Sequence, residues 1–72
     1  MNPQIIEARQ QLGFFLKSKR LELKMNRAEA SRQSGLTREQ ILHMEAGTRD
    51  YTIGSLIKLV AVLELKVYFK SV

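Results

Sequence analysis

Apolar residues recur at intervals of three and four over the first third of the chain, which is the spacing of one face of a helix. The positions that share this spacing are Ile5, Ala8, Leu12, Phe15, Leu16, Lys19 and Leu23. Asn2 and Pro3 supply a cap followed by proline at the first helical position. We therefore predict one long amphipathic helix that ends near Leu23, in which Gly13 marks either a break or a close packing contact.

The middle of the chain predicts two short helices joined by a tight turn. Asn26 is a suitable cap for a helix over about 27–34. Thr37 is a suitable cap for a helix over about 38–46, with glutamine at the position that completes a capping box. Gly35 lies between them, where a turn needs a positive φ that glycine adopts at little cost. Two helices joined by a short turn containing glycine are the outline of a DNA-reading helix-turn-helix.

The last third of the chain predicts one more helix and then a strand. Thr52 can cap the helix, whose apolar character predicts that it is the inner element of the bundle. Residues 66–71 then alternate with the period of two that is typical of a strand. A lone strand finds no partner within the chain, so it either pairs with the same strand of a second copy or packs on the bundle unpaired. The residues that would form the paired strand are Val67, Tyr68 and Phe69.

Composition limits the classes of function. The 72 residues are enough for one domain and include 12 Lys and Arg against 7 Asp and Glu, a net charge of +5. This charge favours a polyanionic partner, either nucleic acid or an anionic membrane surface. The absence of cysteine excludes disulfides and thiolate metal sites, and no apolar run approaches the roughly 18 residues of a membrane span. No signal peptide is evident, so a cytoplasmic protein that binds no membrane is the default expectation.

With the helices and the turn placed, residues 12–65 resemble the phage-repressor and Cro-like helix-turn-helix regulators of bacteria and phages. The residues that carry the resemblance are Arg20, Met25, Asn26, Ser31, Gly35, Leu36, Thr37, Ile41, Met44, Glu45, Gly47, Thr52, Leu56 and Leu63. The tail LELKVYFKSV is similar, over a shorter stretch, to the strand-bearing tail of HipB-type antitoxins, which are dimers. The chain departs from the family pattern at Arg27, where glutamine is usual, at Ala30, where a large aliphatic residue is usual, and at Tyr51, where proline is common. Ser31 is small, as the pattern requires, although alanine is the usual residue there.

The elements and the resemblance together predict an all-α bundle of four to five helices with a short C-terminal β-strand that pairs across a dimer. Residues 1–65 are the predicted DNA-binding domain, with the motif at about 27–45, and residues 66–72 are the predicted dimerisation strand. The resemblance also implies a salt bridge between Arg20 and Glu45 that joins the first and third helices. The alternative is a solvent-exposed Glu45.

Helical geometry turns Ile41 and Met44 of the third helix inward and leaves its other side for DNA. The side chains predicted to read base edges are Arg38, Glu39, Gln40, Leu42 and His43. Each also admits a plainer role, as a phosphate contact or as solvated surface. The residues predicted to contact phosphate are Lys17, Lys19, Lys24, Arg27, Thr37 and Arg49.

These features favour a sequence-specific regulator that binds double-stranded DNA, in particular a repressor acting as a homodimer on a palindromic operator. An autoregulating antitoxin, with a toxin as a further partner, is a narrower version. The alternative is a protein-interaction module, a dimeric scaffold for a toxin or a component of the transcription machinery, with DNA binding incidental. An enzyme is not expected, because the chain has one histidine, no cysteine and no glycine loop that could cradle phosphate. No cofactor or metal is expected.

Overall fold

The computed structural model describes residues 2–68 and 70–71 and has four α-helices in this part of the chain. They are α1 (Pro3–Glu22), α2 (Arg27–Ser34), α3 (Arg38–Ala46) and α4 (Ile53–Val62). Each begins at a predicted cap, whose side-chain oxygen accepts a hydrogen bond from a backbone N–H of the first turn. The four caps are Asn2, Asn26, Thr37 and Thr52. The prediction of a helical bundle is confirmed. None of the helices described is long and apolar enough to cross a membrane.

The core lies where the four helices meet. α1 packs on α3, and α2 packs on both α3 and α4. The buried apolar residues are Leu16, Ala30, Leu36, Ile41, Met44, Leu59, Val60 and Leu63. Leu36 belongs to the turn between α2 and α3, and its carbonyl accepts a hydrogen bond from the Ser31 hydroxyl at 2.6 Å. Gly35 adopts a φ of 81° at the end of α2, so the turn has the predicted left-handed glycine. The core therefore fixes α3 with one side inward and the other at the surface.

The buried face of α1 differs from the predicted stripe. Gly13, Leu16 and Arg20 are its buried residues. Ile5 and Phe15 of the stripe are 54% and 53% exposed. The predicted buried face was wrong because it was found by counting apolar positions. Such a count omits a glycine that lets a neighbouring helix pack closely, and it omits an arginine that is buried because it pairs with a carboxylate.

The backbones of α1 and α3 approach each other closely at Gly13. A Cβ atom on Gly13 would lie 2.3 Å from the carbonyl oxygen of Glu45 and 2.6 Å from that of Met44. α1 continues without interruption through this position. Of the two roles predicted for this glycine, the structure therefore has the close packing contact.

The strand predicted for residues 66–71 is absent from the part of the tail that the structure describes. Residues 66–68 and 70–71 have no regular secondary structure, and Phe69 lies outside the described residues. Val67 and Tyr68 are exposed. The single chain does not support the strand prediction, since a ladder of backbone hydrogen bonds needs a second strand and the described residues of this chain contain none. Pairing across a dimer through these residues is thus not supported.

Of the four helices described, two are followed by a residue other than glycine in the left-handed region: Lys24 after α1, with a φ of 57°, and Glu64 after α4, with a φ of 60°. The left-handed conformation destabilises the folded state by about 1–2 kcal/mol at a residue with a Cβ atom. Glycine avoids this strain, but its greater freedom in the unfolded chain costs about 0.5–1 kcal/mol relative to alanine. We expect Glu64→Gly to raise the free energy of unfolding by about 0.5–1 kcal/mol in urea denaturation. Glu64→Ala, which removes the same carboxylate but keeps Cβ, should give no such gain. A glycine variant less stable than the alanine variant would contradict this.

Candidate nucleic-acid interface

Two side-chain hydrogen bonds fix the first turn of α3, where its exposed side begins. Thr37 Oγ1 accepts a hydrogen bond from the backbone N–H of Gln40 at 3.0 Å, and Gln40 Oε1 accepts one from the N–H of Thr37 at 2.8 Å. This pair is the predicted capping box. Arg38 and Glu39 in the first turn are exposed, and Leu42 one turn on is 43% exposed. Because Ile41 and Met44 are buried, the opposite side of the helix, which is polar except for Leu42, faces outward.

The capping box limits what Gln40 and Thr37 can do for DNA. A bidentate contact to adenine uses both the oxygen and the nitrogen of a glutamine carboxamide. The Gln40 oxygen is already bonded to the Thr37 amide. This bond folds the side chain back onto the helix start, and the carboxamide nitrogen can donate to a base while the capping box stays in place. The Thr37 hydroxyl accepts in the box, and its hydrogen can still be donated to a phosphate oxygen.

Three of the predicted DNA-binding residues form one cluster. Glu39 Oε1 lies 3.6 Å from His43 Nε2 and 3.9 Å from Arg49 Nη1. The other ring nitrogen of His43 is 2.8 Å from the Thr48 hydroxyl. Glu39 and His43 are four residues apart on one helix, so their proximity follows from the sequence, whereas that of Arg49 depends on the loop after α3. Tyr51 lines a cleft beside this cluster. Partial burial raises the pKa of the Tyr51 phenol, so this side chain is neutral at physiological pH.

A second cluster joins the first three helices behind the exposed side of α3. Arg20 donates from Nε to Glu45 Oε2 at 2.7 Å and from Nη2 to Oε1 at 3.1 Å. Its remaining nitrogen, Nη1, donates to the carbonyl of Met25 at 2.7 Å. Arg27 donates from Nε to Glu45 Oε1 at 3.0 Å. The side chains of Arg20 and Glu45 are 5% and 1% exposed, and that of Arg27 is 33% exposed. The structure therefore contains the salt bridge implied by the resemblance, and it adds Arg27 as a second partner.

The other residues predicted to contact phosphate differ in solvent exposure and in whether they form an ion pair. Lys17 and Lys24 are exposed, and Arg49 keeps 64% of its side chain accessible beside Glu39. Lys19 is half-buried, with its ammonium 3.6 Å from Glu22. These residues come from α1, the turn after it and the loop after α3. Among the contacts of the described residues, the one between Arg49 and Glu39 places a predicted phosphate-binding residue next to the exposed side of α3.

Two further ion pairs were not predicted. Arg9 of α1 donates to Asp50 in the loop after α3 at 2.6 Å, and no local signal could have paired residues 41 positions apart. Within α2, Arg32 binds Glu29 at the helical spacing of three, which the sequence could have signalled. The hydrogen bond from Arg32 lowers the pKa of the Glu29 carboxyl. The pair of Arg9 and Asp50 joins α1 to the loop after α3, whereas the pair of Arg32 and Glu29 lies on the surface of α2.

A family model described as helix-turn-helix matches residues 16–69. The match includes the end of α1 and all of α2, the glycine turn, α3 and α4. It covers more than half of the chain, which therefore belongs to the Cro/C1-type helix-turn-helix family of DNA-binding transcription regulators, a family that is not typically enzymatic. Neither a curated protein nor a solved structure matches the chain significantly. The predicted family is confirmed, and the likeness to HipB-type antitoxins stays a prediction.

Proposed function

We propose that the chain is a sequence-specific repressor that acts as a dimer on a palindromic operator in double-stranded DNA. The observation that carries the proposal is the outward side of α3, which begins at a capping box and bears exposed groups of three chemical kinds. Arg38 offers paired donors, Glu39 an acceptor and Leu42 an apolar contact. In the major groove, paired donors can bind guanine, a carboxylate acceptor can bind cytosine, and an apolar group can contact the methyl of thymine. His43 and Gln40 flank them and complete the proposed base-reading surface.

Phosphate contacts supply the affinity in this proposal. The proposed phosphate-binding residues are Lys17, Lys19, Lys24, Arg27, Thr37 and Arg49. The net charge of +5 supports a polyanionic partner. A single α3 reads too few base pairs to select one site in a genome, so two copies are needed, with half-sites about 34–36 Å apart on one face of the duplex.

The function is tested by fluorescence anisotropy with a random-sequence duplex and with the promoter region of the gene itself. Binding to both should weaken steeply with salt, and the promoter duplex should bind more tightly at every salt concentration. Selection of bound duplexes from a random pool should then return a palindrome. If neither duplex binds in a salt-sensitive manner, the proposed function is wrong.

Arg38→Ala separates base reading from phosphate binding. If Arg38 pairs with guanine, the variant should lose about 1–3 kcal/mol of binding to the selected duplex and little on random duplex. The measurement is anisotropy on both duplexes at one salt concentration. Arg32→Ala is the matched control, because Arg32 is an exposed arginine of α2 that is held by Glu29. Equal losses on the two duplexes would show that Arg38 contacts phosphate.

A second candidate function rests on the exposed apolar residues of α1. Phe14 is 71% exposed, and Phe15 and Ile5 are more than half exposed. Exposed aromatic residues at a surface outside the DNA-reading helix favour contact with a protein. An antitoxin would use both surfaces, α3 for DNA and α1 for its toxin. Co-expression with the product of the neighbouring gene tests this, since a stable complex that Phe14→Ser disrupts without loss of DNA binding would support it.

A further inference from the structure

The cluster around Glu45 holds two positive charges and one negative charge. Arg20 uses all three of its guanidinium nitrogens, two on Glu45 and one on the carbonyl of Met25. Arg27 uses only Nε. Within residues 2–68 and 70–71, nothing accepts a hydrogen bond from its two terminal nitrogens. The cluster therefore carries one uncompensated guanidinium, at the beginning of α2.

The bond to Glu45 fixes how this guanidinium faces solvent. A guanidinium is planar, so a hydrogen bond from Nε sets the plane and leaves the edge formed by the two terminal nitrogens free. Glu45 is held by α3 and by Arg20, and its side chain is 1% exposed, so it is a rigid anchor. The Arg27 side chain is 33% exposed and reaches the surface from this anchor. The free edge matches two oxygens of one phosphate, and such a bidentate, charge-assisted pair is a strong contact for arginine.

We propose that Glu45 is a positioning residue for DNA binding, which orients Arg27 so that its terminal nitrogens bind one backbone phosphate at the first turn of α2. This rests on the proposed function and deepens it, because it gives a role in DNA binding to a buried carboxylate that does not touch DNA. A pre-oriented arginine loses less side-chain freedom on binding than a free one, and the amides of the first helical turn add positive potential at the same place.

The number of phosphates neutralised is read from the salt dependence of binding, which a purely structural role of Glu45 would leave unchanged. We would measure anisotropy of a fluorescein-labelled random-sequence duplex over a salt series for the wild-type chain, Arg27→Met, Glu45→Gln and the double variant. Arg27→Met should reduce the slope of log K against log salt by about 0.9, the value for one phosphate. Glu45→Gln should reduce it by a similar amount. The double variant should have the slope of Glu45→Gln alone.

Arg32→Met is the matched control, since it removes one arginine of α2 that is already paired with an exposed carboxylate. Its slope should equal that of the wild type. All variants are compared at a temperature at which circular dichroism shows each of them folded. A wild-type slope in Glu45→Gln, or an equal further loss when Arg27→Met is added to it, overturns the positioning role. A wild-type chain that shows no salt-dependent binding overturns the proposed function itself, which is a different result.

Nitrogen-15 NMR of the wild-type chain tests the same proposal if Glu45→Gln does not fold. The Nε–H of Arg27 should exchange with water more slowly than that of Arg49, whose contact with Glu39 is exposed and 3.9 Å long. Added duplex should shift the terminal nitrogens of Arg27 and leave its slow Nε–H exchange in place. Exchange as fast as that of Arg49, or terminal nitrogens that do not respond to duplex, overturns the proposal.

Discussion

Gly13→Ala is expected to destabilise the domain by about 3 kcal/mol, at the upper end of the cost of overpacking a core. The new Cβ would lie 2.3 Å from the carbonyl oxygen of Glu45 and 2.6 Å from that of Met44. Both atoms belong to the backbone of α3, so no side-chain rotation relieves the clash and the two helices must move apart. At an open helical site the same substitution would gain about 1 kcal/mol of helix propensity, so the expected loss has the opposite sign.

Urea unfolding followed by far-UV circular dichroism measures this effect. Gly54→Ala in α4 is the matched control, because the nearest atom to a Cβ there is Thr52 Oγ1 at 3.7 Å, an ordinary contact. The control should be as stable as the wild type or slightly more stable. A Gly13→Ala protein that unfolds at the wild-type urea concentration would show that α1 and α3 are not in contact at this position.

Glu45→Ala is expected to have the largest effect on stability, a loss of about 3–5 kcal/mol. The substitution removes the acceptor of both Arg20 and Arg27 and leaves the Arg20 guanidinium buried without a counter-charge. A buried charge that has lost its partner costs far more than the pair contributes, and small domains have only about 5–15 kcal/mol of total stability.

The melting temperature of the Glu45→Ala variant, followed by circular dichroism, tests this expectation. Glu22→Ala is the control: Glu22 also pairs with a basic residue, Lys19, but its side chain is 70% exposed, and such pairs contribute about 0–1 kcal/mol. The control should melt close to the wild type. An unchanged melting temperature for Glu45→Ala would rule out a structural role for the buried cluster.

The helices could be predicted because their signals are local. Each cap acts on an amide two or three residues away, and Gly35 sets the turn through its own φ. The outward side of α3 followed from the rotation of about 100° per residue once Ile41 and Met44 were taken as buried. The motif and its family were therefore accessible from one sequence.

The features that the sequence did not predict depend on contacts between residues that are distant along the chain. The buried face of α1 is marked by Gly13 and Arg20, which no hydrophobic period includes, because one is chosen for its lack of a side chain and the other for its partner on α3. Arg27 and Glu45 are 18 positions apart, so their bond appears only when α2 and α3 are packed. The strand at residues 66–71 was inferred from the alternation and residue types of the tail and from its short likeness to antitoxin tails, and none of these supplies the second strand that pairing requires.

The four side-chain caps also have a consequence for how the chain folds. Since every helix start is encoded within about one turn of itself, native-like turns can form in the unfolded chain before distant segments meet. Small helical domains dominated by such short-range contacts reach the native state in microseconds to milliseconds. A ribosome adds only about 5–20 residues per second, so we expect this domain to fold in a time that is short compared with its synthesis. Folding would then add little to the time before two copies can assemble.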